Sequence, residues 1–401
     1  MTDIATKHTV SAHVRVGADR LLRDKYTLIE GKRVGVLTNH TGRLTDGRSI
    51  VDALAYSGLC TLKALYGPEH GIAGDTPDGK TVEHALDPRH GVQAHSLYGR
   101  NQKPTPEMLD GIDVVVCDIQ DVGARFYTFI STVALAMEAA AEHGIPFVIL
   151  DRPNPIRGVS YDGPVRVSSL KSFVAWMPIP IMHGLTVGEL ALLWNDEGWL
   201  ANGVKVSLQV IEMEGWQRSM WYDETGLAWT PPSPNMKTLT TAIVYPGLCL
   251  VEGTSISEGR GTMSPFQIIG APWAEPEKVL KHLSAYHTPG VVFSAAEFTP
   301  NEIPGTAVEP KFEGLLCRGV RISIVDRNAV QPVHLGIAIL SAFKRAHPTE
   351  AVFRERRFDV LTGNANVRHQ LDRGVHPDEI CSGWDDELSS FGEIRSRHLM
   401  Y

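Results

Sequence analysis

Residues Asp113–Asp121 read DVVVCDIQD. Val114 to Cys117 are apolar without alternation, so the segment has no polar face to turn toward water. An unbroken apolar run between aspartates marks a strand of a parallel sheet covered on both sides. The same rhythm extends outward in both directions. KRVGVLTNH (Lys32–His40) and LKALYG (Leu62–Gly67) precede it, and PFVILDRPNP (Pro146–Pro155) and VKVSLQVIEM (Val204–Met213) follow. Helical spacing fills the intervals. RSIVDALAYSG ends at Gly58, a C-cap residue, and STVALAMEAAAEHG stops at Gly144. HGLTVGELALLWNDEG places Thr186 three residues before Glu189, the spacing of a capping box, which gives Glu189 a structural task. Alternation of this kind predicts an α/β fold, a Rossmann-like parallel sheet with helices on both faces.

Past Trp273 the rhythm changes. EPEKVLKHLSAY and HLGIAILSAFKRAHP have helical spacing, whereas GVVFSAAEFTP and GVRISIVDR read as strands. A smaller C-terminal α+β auxiliary domain is expected, with residues 1–265 forming the larger domain and 266–401 the smaller. A chain of 401 residues exceeds the usual single domain.

Composition narrows the function. A hydrophobic share of 43% and a charged share of 21% are those of a globular chain. The net charge of −8 argues against nucleic acid or an anionic membrane as the main partner. Cys60, Cys117, Cys249, Cys317 and Cys381 are scattered and never form a C-x-x-C pair, as expected of free thiols in a reducing compartment. The N-terminal MTDIATKHTVSAHVRVGADR has no continuous apolar core of an export signal, and no run would span a bilayer. A cytoplasmic protein is expected; its oligomeric state is not legible.

Four strands of the first half end in loops loaded with functional groups: Asn39 and His40; Glu69 and His70; Asp118, Asp121, Arg125 and Tyr127; Asp151, Arg152 and Asn154. Ligands of open parallel sheets bind beyond the carboxyl ends of the strands. One crevice is therefore expected to gather Asn39, Glu69, His70, Asp118, Asp121, Arg125 and Arg152. Asp118 and Asp151 fit a turn-capping role equally well, and Arg125 could simply pair with Asp121. Glu69 stands apart. Gly67-Pro68 before it and Gly71 after it fix the backbone more tightly than solvation of a loop requires.

Known signatures are missing: no G-x-x-x-x-G-K-[ST], no G-x-G-x-x-G after the first strand, no G-x-S-x-G and no H-E-x-x-H occurs. No cofactor or resident metal is expected, although His70, Asp75, Asp118 and Asp121 form a conceivable set of hard ligands. Carboxylates, amides and arginines without a marked nucleophilic serine or cysteine suit hydrolysis of a glycosidic bond, which needs a carboxylic acid to protonate the leaving oxygen. Trp216, Trp221 and Trp229 could stack on sugar rings or could equally be core.

Taken together, LTNHTG (37–42), GPEHGI (67–72), QDVGARFYT (120–128), LDRPNP (150–155), PSPNM (232–236), EGTSISEGRGT (252–262), GAPW (270–273) and LSSFGEIRSRHLMY (388–401) resemble the bacterial exo-β-N-acetylmuramidase (NamZ-like) family across nearly the whole chain. The resemblance implies a Rossmann-like catalytic domain, an auxiliary domain forming the other wall of the cleft, and release of terminal N-acetylmuramic acid (MurNAc) from the non-reducing end of peptidoglycan fragments. It implies Glu69, in the GPEHG motif, as the general acid/base. Asp118 and Asp121 are the expected catalytic companions, the substrate being a MurNAc-containing disaccharide or muropeptide. Asn39, His70, Arg125, Tyr127, Arg152, Asn235, Glu258 and Arg260 are the expected binding residues; among them the arginines Arg125, Arg152 and Arg260 suit the lactyl carboxylate of MurNAc. A non-catalytic muropeptide sensor and a metal-dependent hydrolase are the alternatives.

Overall fold

The computed structural model describes residues 14–77, 79–80 and 85–401. The part of the N-terminal stretch read for an export signal up to residue 13 lies outside the described residues. The larger sheet contains β1 (Arg33–Thr38), β2 (Thr61–Gly67), β3 (Ala85–Leu86), β4 (Gln93–Ser96), β5 (Val114–Asp118), β6 (Phe147–Leu150) and β7 (Leu208–Ile211). Their order is β3-β4-β2-β1-β5-β6-β7, and every neighbouring pair is parallel except β3 with β4. Without the short β3, the parallel strands counted along the chain lie in the order 3-2-1-4-5-6. That is the doubly wound arrangement, with its switch point between β1 and β5.

Residues of β5 alternate between two cores, as a period of two demands. Val114 and Val116 join Leu21, Ile50 and Leu54 on one face, while Val115 and Cys117 join Phe129, Val133 and Leu190 on the other. Helices Gly17–Asp24 and Ile50–Ala55 cover the first face, and Thr128–Glu142 and Val187–Asp196 cover the second. The expected capping box forms: the Glu189 N–H donates to Thr186 Oγ1 at 3.2 Å, and the Thr186 N–H donates to Glu189 Oε2 at 3.0 Å.

The second sheet is antiparallel, in the order β8 (Ile268–Ala271), β10 (Cys317–Ile324), β9 (Val291–Phe298). Helix Pro276–Leu283 packs on it, and helix Pro332–Ala346 behind that one is almost wholly buried. Helix Leu239–Leu248, which the sequence pattern assigns to the first domain, packs on that buried helix so closely that a Cβ on Gly247 would lie 1.8 Å from the Pro332 carbonyl oxygen. One apolar core runs on from Phe129 through Ile337 and Phe358 to Phe391, joining both parts of the chain. Among the described residues, no helix is long and apolar enough to cross a membrane.

The last residues return to the first sheet. Tyr401 Oη donates to Asp151 Oδ2 at 2.8 Å and accepts the Met213 N–H at 2.9 Å, and its ring packs edge-on against Trp216. Met400 N donates to Glu189 Oε1 at 2.9 Å. Val14 shares the small cluster of Met213, Trp216 and Tyr401.

Asp151 is fully enclosed here, and burial pushes its carboxyl from 3.8 up to about 7; the Thr186 hydroxyl offsets part of that, and the Glu189 charge adds to it. The unfolded chain ionises this group at lower pH than the folded one. Its contribution to stability is therefore complete below pH 3.8 and is lost as the pH rises through about 7. Asp151→Asn is expected to flatten that decline. Denaturant titrations of both proteins at pH about 4, 6 and 8 check it, and parallel slopes would refute it.

Candidate active site

The turn after β2 is as constrained as its sequence suggests. His70 and Gly71 follow Glu69 with φ of 71° and 74°, the left-handed region that a side chain other than glycine enters at a cost of about 1 kcal/mol. The Gly71 N–H closes on the Pro68 carbonyl at 3.0 Å, and His70 Nδ1 bonds the Thr76 carbonyl at 2.7 Å. Further along, Gly74 lies against the His40 ring, where any Cβ would collide, and His40 Nε2 bonds the Pro231 carbonyl at 2.7 Å. Three loops are thereby locked around one half-buried carboxylate.

Glu69 Oε2 accepts the Thr128 hydroxyl at 2.6 Å, and Oε1 accepts the Gly79 N–H at 3.1 Å. Thr128 opens helix Thr128–Glu142, so the carboxylate also faces the positive end of a helix dipole. Burial, with the adjacent Glu69 charge, raises the Tyr98 phenol well above its usual range. Burial lowers His70, against the pull of Glu69 and the Thr76 carbonyl, which favours neutral imidazole beside the acid.

Glu69 lines a cavity of about 570 Å³, within the range of small-molecule sites. His70, Tyr127, Asn235, Glu258 and Arg260 line it too, as the sequence led us to expect. Asn235 Nδ2 donates to the Thr306 carbonyl at 2.9 Å, tying the first domain's PSPNM loop to a loop of the second. Glu258 Oε2 lies 3.0 Å from Lys311 Nζ, and Arg260 Nη2 donates to Glu252 Oε1 at 2.8 Å. Burial lowers Arg260 to about 10, although Glu69 works the other way.

The other expected members lie elsewhere, because each is consumed by structure. Asp118 is wholly buried and held by Arg152, with Nε at 2.5 Å from Oδ1 and Nη2 at 3.0 Å from Oδ2. Burial weighs against the Arg152 charge, but the Asp118 carboxylate more than offsets it and raises the guanidinium above its usual range. Asp121 accepts the Gly123 N–H at 2.7 Å and faces His183 at 3.2 Å. Arg125 does not pair with Asp121; it donates to the carbonyls of Pro164, Ile179 and Leu361. Asn39 Oδ1 accepts the N–H and hydroxyl of Thr41, a local turn. None of these five reaches the cavity. The conceivable ligand set of His70, Asp75, Asp118 and Asp121 is likewise not gathered, and no group of three or more such side chains is arranged for a metal among the described residues. Trp216 and Trp221 are buried, and no tryptophan lines the cavity.

Sequence patterns gave no warning of Tyr98, Thr128, Lys311 or Arg357, which line the same cavity. Thr128 was the most accessible of them, since it ends the QDVGARFYT motif at a helix start. Lys311 and Arg357 lie in ordinary charged surroundings, EPKFEG and FRERRFD, that resemble any solvated surface.

Family models described as exo-β-N-acetylmuramidase NamZ match this chain over residues 34–240 for the N-terminal part and 243–401 for the C-terminal part. The chain belongs to the NamZ family. It is 42% identical over 389 residues to the peptidoglycan β-N-acetylmuramidase NamZ of Bacillus subtilis (strain 168), covering 97% of this chain and 91% of that one. Two solved DUF1343 family proteins of Bacteroides fragilis NCTC 9343 share the fold. One superposes with a TM-score of 0.89 at 36% identity, the other with 0.77 at 32%; each comparison covers 97% of this chain and 99% of the other. The NamZ-family models meet near residue 240, where helix Leu239–Leu248 begins to pack with the C-terminal helices. The α/β architecture expected from the sequence, with its smaller second part, is the one found.

Proposed function

We propose that this protein is an exo-β-N-acetylmuramidase that removes MurNAc from the non-reducing end of peptidoglycan fragments, with Glu69 as general acid/base. The observation that carries it is the Glu69 carboxylate, fixed by Thr128 and Gly79 on the wall of a cavity that also gathers Arg260, Lys311 and Arg357. An acidic amino sugar needs both a proton donor at its glycosidic oxygen and cations for its carboxylate. As the bond from the anomeric carbon to the leaving oxygen breaks, Glu69 gives its proton to that oxygen. Its carboxylate then takes a proton from the water whose oxygen bonds to the anomeric carbon. Of the other expected carboxylates, Glu258 lines the same cavity, whereas Asp118 and Asp121 lie outside it.

The substrate is a MurNAc-containing disaccharide or muropeptide, handled in the cytoplasm; five free cysteines support a reducing compartment. Residues 1–265 supply the acid and residues 266–401 part of the opposite wall, through Thr306–Lys311 and Arg357.

The test is incubation with MurNAc-β-1,4-GlcNAc and with the isomer of reversed order, followed by chromatography of the products. Free MurNAc is expected from the first alone. Binding without release would point to a sensor, and equal cleavage of both isomers would remove the specificity for a terminal MurNAc.

A further inference from the structure

Muramic acid differs from glucosamine by one lactyl ether, which carries a carboxylate. A site that selects it needs a cation with N–H groups left to donate. Among the described residues three permanent cations line the cavity, and they differ in how far they are already committed.

Lys311 Nζ donates to the carbonyls of Val251, Glu252 and Ile256 at 3.1, 3.2 and 2.9 Å and lies 3.0 Å from Glu258. An ammonium has no more hydrogens than that to give. Its task is to hold the 251–258 loop. Arg260, only about a fifth exposed, lies between Glu252 and Glu258, at 2.8 and 3.6 Å, and so faces two carboxylates already. Arg357 is different. It stands on helix Glu355–Thr362 with 49% of its side chain exposed, and Nη2 donates to Glu252 Oε2 at 2.9 Å. Among the described residues it makes no other hydrogen bond, so most of the guanidinium fork remains to be used.

Glu252 accepts Arg260 on one oxygen and Arg357 on the other. The planar carboxylate thereby sets the orientation of both guanidinium groups, and the one with spare donors lies at the wall facing the domain that carries Glu69.

We propose that Arg357 is the specificity-determining residue of this site, binding the lactyl carboxylate of the terminal sugar, and that Glu252 positions it. The assignment rests on the muramidase activity proposed above. Guanidinium and carboxylate meet in a forked, charge-assisted pair, and neutral sugars leave the fork unpaired.

The experiment compares kcat/KM on a chromogenic β-MurNAc glycoside with that on its lactyl methyl ester, which keeps the shape and removes the charge. The wild-type protein, Arg357→Met and Arg357→Lys are measured, with thermal unfolding as a control for folding. Wild type is expected to prefer the acid by about tenfold to a hundredfold, the worth of a hydrogen bond to a charged group. Arg357→Met should lose that preference mainly through KM, and Arg357→Lys should recover part of it, a pattern that damage to packing would not produce. A folded Arg357→Met protein that still prefers the acid as wild type does would overturn the assignment, as would a wild type indifferent to the ester. Failure of wild type to release sugar from either glycoside would instead count against the proposed activity itself.

Discussion

Glu69→Gln is expected to lower kcat for release of MurNAc by about a thousandfold or more, the scale of a positioned acid/base in glycosyl transfer. Glutamine has the shape of the acid but no proton to give to the leaving oxygen. Its carbonyl oxygen can still accept the Gly79 N–H, and the Thr128 hydroxyl can turn to accept from the new amide, so both local contacts have a replacement. The midpoint of thermal unfolding should therefore stay close to wild type. Rate and midpoint measured on one preparation separate chemistry from folding. A variant retaining a tenth of wild-type kcat would take Glu69 out of the role.

Arg152→Met should have the opposite signature. Removing one partner of a buried ion pair strands the other charge, which costs about 3–5 kcal/mol. Asp118 would keep its place with no solvent to receive it, and the Arg43 carbonyl would lose the donor that lies 2.5 Å from it. Denaturant unfolding should show the loss as a lower midpoint. Because Arg152 lies outside the cavity wall, the folded fraction at low temperature should keep the wild-type KM. A raised KM with unchanged stability would return Arg152 to the substrate, where its sequence position first suggested it belonged.

These two residues show what a sequence can and cannot disclose. Apolar runs and their spacing are local, so strands such as Val114–Asp118 and helices such as Val187–Asp196 were readable from neighbours alone. Glu69 was readable because its constraint, Gly67-Pro68 with Gly71, is also local. Whether a polar strand end faces a cavity depends on partners far along the chain. Asp118 meets Arg152 across 34 residues, and Arg125 meets the Leu361 carbonyl across 236. Both look like ligands-in-waiting until those partners are known. At the switch point between β1 and β5, Thr38 Oγ1 donates to the Asp118 carbonyl at 2.7 Å, and side chains occupy the place where a doubly wound sheet ordinarily receives its ligand. The binding space has moved outward, past β2, toward the second domain. Lys311 and Arg357 are contributed from there, which no pattern in the first half could announce.

Tyr401 bears on how a sugar gets in. By lodging the final side chain between Asp151 and Trp216, the polypeptide fastens its C-terminal part to the β6 end of the first sheet. A carbohydrate end reaching the cavity beside Glu69 meets walls already joined by a shared apolar core and by this anchor, so little binding energy is expected to go into drawing them together.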